Sequence, residues 1–413
     1  MKKFDKDKYL KNLKFKRNLT KYGKYFYIGV PCVLAVVAGI YFAYSKFTVS
    51  KDAEVVKTTV GEFIHGDVVI GAYINGEYSN TIPGKNDGYA VKSVSCDNNA
   101  TGSWDNDSWG IVLTNMTKRT KCNIYFETKK PSLNEAITTA MSNNPSMFAS
   151  DDPGKNVRYI GANPNNYVYF NCSDYSNPTA NTCELWRIIG VFNNVTKRDG
   201  TKENLVKIIR DESIGNIAWD DNNVNDWSTA TLQQNLNSGT YYTTTLKNDT
   251  TRNAIEEVVW NLGGTGSYTS ASNGLASHFY GYERGTTVYS GRPTTWTGKI
   301  GLMYPSDYGY ATSGGTTKDR AACLAKELYN WDSSEFSDCK GNDYLFDANN
   351  DQWTLAPFSA GAYVVFLVDA GGCVLSYGAD ITSAVRPALF LKSNIQVDKG
   401  TGAKSDPYTL KMQ

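Results

Sequence analysis

The 413 residues include only two histidines, His65 and His278. A histidine-based metal cluster therefore has no ligand set, and a Ser-His-Asp triad would depend on His278 alone. His278 follows the glycine- and serine-rich run SNGLASHFYGYERG and reads as an ordinary loop histidine. Gly263–Gly274 is rich in glycine but lacks both the GxxxxGK[ST] order and a following lysine, so it reads as a surface loop and not a phosphate cradle. In DDNNVNDW, Asp221, Asn223 and Asn225 have the D-x-N-x-N spacing of an EF-hand loop. The position that demands glycine holds Asp226, and the position of the bidentate glutamate holds Leu232, so this is not an EF-hand. Two readings remain: a looser calcium site with oxygen ligands, or a solvated turn that caps the next helix, and the turn is preferred. No other cofactor is implied.

Cysteine is the second chemical resource. Cys32 falls in a long apolar run, leaving seven others. Proximity pairs Cys96 with Cys122, Cys172 with Cys183 and Cys323 with Cys339, and leaves Cys373 over. There is no CxxC spacing, so zinc ribbons and thioredoxin-like sites have no support. Cys373 reads first as a buried core thiol, with an intermolecular bridge or a nucleophile as alternatives.

Aromatic residues are the third resource. Tyr280, Tyr282, Trp296, Tyr304, Tyr308 and Tyr310 punctuate a glycine-rich region. Tyr and Trp on loops give the large amphipathic contact area that sugar and protein ligands need. The competing reading, that about half of them fill a core, weighs equally.

The elements that would hold these residues follow from pattern. Val68, Ile70, Ala72 and Ile74 alternate and run into Asn75-Gly76, a hairpin signal. Strands are expected near Ala90–Cys96, Gly110–Thr114 and Lys121–Glu127, giving a small β-sandwich over residues 61–130, with Trp104 and Trp109 packed on its disulfide. Ser132 and Glu135 form a capping box for a short helix, and a linker completes residues 131–156. Beyond it, ELWRIIGVF and LVKIIRDESIG read as paired strands. Thr229–Asn237, Asn253–Asn261 and Arg320–Tyr329 read as helices, Ala362–Gly378 as a hairpin, and Val385–Lys392 as a closing strand. Strands and helices keep no βαβ rhythm, so residues 157–413 are expected to form an α+β domain with an antiparallel sheet.

The chain's address is easier to read than its chemistry. Tyr25–Tyr44 runs for twenty residues without Asp, Glu, Lys, Arg or His, enough for a helix to cross a hydrocarbon core of roughly 30 Å. Aromatic residues crowd both of its ends. Residues 1–24 carry ten Lys or Arg against Asp5 and Asp7, a net of +8, so the rest of the chain carries −7 of the total +1. That asymmetry argues for a cytoplasmic tail and a translocated bulk, and against nucleic acid as a partner. The expectation is an uncleaved signal-anchor at Tyr25–Tyr44 with a stalk over 45–60. A signal peptide cleaved after Ser45 is the alternative, and export follows either way.

Taken together, ELWRIIGVF, VKIIRDESIG, NDWSTATLQQNLN, TGKIGLMYPSDYGYA, WTLAPFS and VRPALFLKSN, closing in GTGAKSDPYTL, resemble a domain of unknown function found in surface-exposed proteins of gut bacteria. CDNNATGSWDNDSWGIVLTNMTKRTKCNIYF resembles the β-domain that commonly precedes it. The resemblance implies a distant likeness to the C-type-lectin-like fold shared with formylglycine-generating enzymes, with Arg386-Pro387 on the late strand that closes the sheet. Those oxidases use a cysteine pair, whereas Cys373 stands alone here, so their activity does not carry over.

The expected function is that of a single-pass, N-in cell-surface protein, possessing an adhesin-like C-terminal domain that binds an extracellular glycan or protein and is not an enzyme. An envelope-associated oxidase or hydrolase using Cys373 or acidic residues is one alternative. A structural envelope component is another.

Overall fold

The computed structural model describes residues 57–58 and 68–412. They fall into two units, one ending at Lys129 and one spanning Lys130–Gln413. The expected membrane segment Tyr25–Tyr44 and the basic tail lie outside the described residues, among which no helix is long and apolar enough to cross a membrane.

In the smaller unit the alternating residues form strand Val68–Ile74. It pairs in parallel with Thr120–Thr128 and antiparallel with Glu77–Ser79 through the Asn75-Gly76 turn, both turn residues at positive φ (50° and 91°). Tyr89–Cys96 closes this four-stranded sheet. Thr101–Asp105 and Gly110–Thr114 pair in a second sheet, and Ile111 and Leu113 share one apolar core with Ala72, Cys122, Ile124 and Phe126. The two sheets thus share one small core.

Cys96 sits directly opposite Cys122 and is bonded to it. A Cβ on Gly102 would lie 2.6 Å from the Cys96 sulfur, so the second sheet needs glycine there. Trp104 and Trp109 pack edge to face on each other and against Phe126. The expected stalk changes: Lys57–Thr58 pairs with Val112–Leu113 and belongs to the second sheet.

The larger unit begins earlier than its pattern indicated. Helix Leu133–Asn143 has the expected Ser132/Glu135 capping box, yet it is no linker element. Leu133 and Ile137 are buried in the main core, and the Leu133 amide donates to the carbonyl of Ile395.

A seven-stranded sheet is built on Glu184–Thr196 and Lys202–Arg210, paired antiparallel with two register shifts. Val157–Tyr159 approaches so closely at Gly190 that a Cβ there would meet the Val157 carbonyl at 2.2 Å. Ala388–Leu391 pairs on the other side of Lys202–Arg210, followed by Ile300–Gly301. The preceding Arg386 is buried, donating to the carbonyls of Arg210 and Leu345 and to Gln352 Oε1.

A five-stranded sheet contains the expected hairpin, Val364–Val368 with Val374–Gly378. Antiparallel pairing dominates, and the class is α+β. Two helix expectations change. The segment 253–261 ends a helix at Ala254 and then forms strand Val258–Asn261, because Val258, Val259 and Trp260 favour pairing with Thr295–Gly298. The helix beginning at Arg320 stops at Leu324, and Leu328–Asn330 is a separate 3-10 turn.

Cys172–Cys183 and Cys323–Cys339 are bonded as proximity suggested, and Cys373 is a buried free thiol. The three disulfides among the described residues fit an oxidising, extracellular compartment.

Candidate functional site

The larger unit holds a cavity of about 310 Å³, at the small end of the roughly 300–1,000 Å³ usual for ligand sites. Four elements supply its working residues. Lys207 comes from strand Lys202–Arg210 and Trp260 and Asn261 from strand Val258–Asn261. Tyr280 lies on helix Ala276–Glu283, Arg284 caps that helix, and Tyr304 caps helix Pro305–Ala311.

Lys207 is fully buried and its Nζ lies 2.6 Å from Asp307 Oδ2. Asp307 Oδ1 accepts from Arg158 Nη1 at 2.8 Å, and Arg158 Nε reaches Asp152 Oδ2 at 2.5 Å. Asp307 is in the first helical turn and also accepts from the Tyr304 amide. Burial opposes its ionisation, but the Lys207 and Arg158 charges outweigh burial and hold the carboxyl well below its usual range. Burial pulls the Lys207 ammonium below the ordinary lysine range despite Asp307. The ammonium sits 4.5 Å from the Tyr304 ring centre and 5.2 Å from that of Trp260, within cation–π reach.

A second pair stands beside it. The Arg284 guanidinium stacks on Tyr280 at 3.5 Å, and its Nη1 donates to Glu283 Oε2. Glu283 accepts from the Ser306 hydroxyl and amide, and burial pushes its carboxyl up to about 7 against these partners and Arg284. Asn156 ties the wall together. Its amide nitrogen donates to Asp152 and to the Tyr280 hydroxyl, and its Oδ1 accepts from the Asn193 amide.

Of the six aromatic residues singled out by pattern, Tyr280 and Tyr304 meet at this cavity. Tyr304 is buried, its hydroxyl donating to the Asn261 carbonyl. Tyr282 is half-buried against His278 and Phe279. Trp296 is half-buried, opposite Trp260 in the ladder and edge-on to Trp227. Tyr304, Tyr308 and Tyr310 are corrections to the expected binding face: all three are core residues. The Tyr308 hydroxyl donates to the Gly372 carbonyl, and Tyr310 lies under Arg158.

Lys207, Trp260, Arg284 and Asp307 escaped the pattern reading. One signal was present, a lysine inside the otherwise apolar run Leu205–Ile209.

The acidic turn serves mainly to cap. Asp220, not Asp221, accepts from the amides of Val224 and Thr231, the latter opening helix Thr231–Asn237. Asn225 is buried and gives its amide nitrogen to the carbonyls of Phe358, Gly361 and Val364. Asn223 Oδ1 is buried without a partner, and Asp221 is exposed. Among the described residues no group of three His, Cys, Asp or Glu side chains is placed to hold a metal ion.

No family model matches the chain, and neither a curated protein nor a solved structure matches it.

Proposed function

We propose that this is a single-pass, N-in cell-surface protein whose C-terminal unit, a C-type-lectin-like domain, binds an extracellular ligand in an adhesin-like role. The observation that carries this reading is the cavity walled by Trp260, Tyr280 and Tyr304 and backed by a rigid ionic floor. Aromatic walls with a few fixed polar groups are what small-ligand sites present. A glycan suits it better than a protein, because the volume is small and the half-buried Tyr280 can meet a sugar ring. Calcium at Asp221, Asn223 and Asn225 is an accessory expectation.

The enzyme alternative loses support at Cys373. Burial pushes that thiol up to about 12, whereas thiolate chemistry needs it lowered. The test is a glycan array probed with the full chain in mild detergent, with and without calcium. Retained glycans whose signal is lost in Tyr280→Ala support the reading. Silence in both conditions favours the structural envelope role.

A further inference from the structure

Behind the cavity wall, a nucleophile and an electrophile are held in contact away from water. Lys207 Nζ lies 2.6 Å from Asp307 Oδ2, and neither side chain is exposed. The rings of Phe192, Trp260, Tyr304 and Phe390 surround the ammonium, their centres 4.5 to 5.7 Å away. Charges stripped of water are costly to keep, even when paired. Fixed contact also turns a reaction between two separate groups into one between permanent neighbours. Lys207 comes from strand Lys202–Arg210 and Asp307 from helix Pro305–Ala311, one hundred residues further along the chain.

The other contacts of Asp307 suit a condensation. Arg158 Nη1 donates to Oδ1 at 2.8 Å, where negative charge collects when a nucleophile adds to the carboxyl carbon. The Tyr304 amide donates at 2.9 Å to Oδ2, the oxygen that faces the lysine, and holds it in place. Arg158 has a second counter-ion, Asp152, through its Nε. The charges of Asp152, Arg158, Lys207 and Asp307 cancel, and they still cancel when Lys207 and Asp307 are both neutral.

We infer that Lys207 and Asp307 condense into an amide, a covalent cross-link between sheet and helix for which the ion pair is the precursor. The ammonium passes one proton to Oδ2 along the hydrogen bond, so the carboxyl needs none from solvent. Burial, which pulls the ammonium below the ordinary lysine range, helps this transfer. The Nζ electron pair then attacks Cγ, and Oδ1 takes up the charge opposite Arg158. A second Nζ proton moves to Oδ2, the Cγ–Oδ2 bond breaks and one water leaves toward the adjoining cavity. One C–N bond forms and one C–O bond breaks, with no oxidant or co-reactant. Like a disulfide across a long loop, the cross-link removes freedom from the unfolded chain. It is independent of any ligand in the cavity.

The test takes the full chain, reduced and denatured, through intact-mass measurement and peptide mapping. The expected mass is one water below that of the reduced sequence, with a branched peptide joining the Lys207 and Asp307 segments. Lys207→Arg keeps a cation but lacks the amine nucleophile. It should restore the full mass, abolish the branched peptide and slow migration in a reducing, denaturing gel. The map of the unmutated chain decides the matter even where the variant fails to fold. Full mass, with Lys207 and Asp307 recovered in separate linear peptides, overturns the cross-link. Loss of one water without a branched peptide also overturns it, because Asp87-Gly88 and Asp199-Gly200 can each cyclise with the same loss.

Discussion

At the turn from Asp220 to Thr231, a buried carboxylate accepts from backbone N–H groups four and eleven residues away. On the cavity floor, Asp307 is enclosed by two cations, Lys207 and Arg158, from strands one hundred or more residues distant in sequence. The same functional group is satisfied in both places. In the turn, the partners come with the local chain. On the floor, two of the three partners are charged side chains delivered from distant strands, and the third is the Tyr304 amide. Satisfaction by backbone makes a cap; satisfaction by charged side chains ties two strands to a helix inside the core.

The largest expected effect is at Asp307. Removing it strands two buried cations, so Asp307→Ala should cost about 3–5 kcal/mol in denaturant unfolding. A loss below about 1 kcal/mol would mean that the floor is not charge-paired, and the contrast would collapse.

Asp220→Ala comes next. It leaves the Val224 and Thr231 amides without their acceptor and should cost about 1–3 kcal/mol by the same measurement.

The pH dependence of stability sharpens the comparison further. Burial raises Glu283 to about 7 and Asp343 to about 8, above their ordinary 4.5 and 3.8. The folded state therefore holds protons that the unfolded chain has released, so this contribution to stability is complete below about pH 4 and is lost as pH rises through 7 to 8. The melting temperature should fall between pH 5 and pH 8, and Glu283→Gln together with Asp343→Asn should flatten that slope. Asp307, held low, works in the opposite direction and loses its stabilising charge only in strong acid.

Asp221→Ala marks the small end. An exposed residue outside the cap should change stability by less than about 0.5 kcal/mol. If calcium raises the melting temperature of the parent chain but not of Asp221→Ala, the turn is an ion site after all.

Much of the local architecture was legible. Asn75-Gly76 demands positive φ at two successive residues, which short side chains and glycine supply, so that hairpin could be read from two letters. Ser132 and Glu135 cap their helix as their spacing requires. The three disulfides follow proximity because each pair belongs to adjoining or nearby segments. Asn253–Asn261 misled because its apolar spacing fits a helical face as well as a strand, and pairing with Thr295–Gly298 decided the matter.

By itself the sequence determined the α+β class and the +8 tail before a twenty-residue apolar run, and it suggested the cysteine partners by proximity alone. These are set by composition and by interactions over short stretches of chain. Tertiary structure alone decided that Tyr308 and Tyr310 are core while Tyr280 faces a cavity, and that Lys207, Arg158 and Asp307 meet. A tyrosine is compatible with either environment, and a buried charge can exist only where folding delivers its partner. No local pattern encodes that delivery.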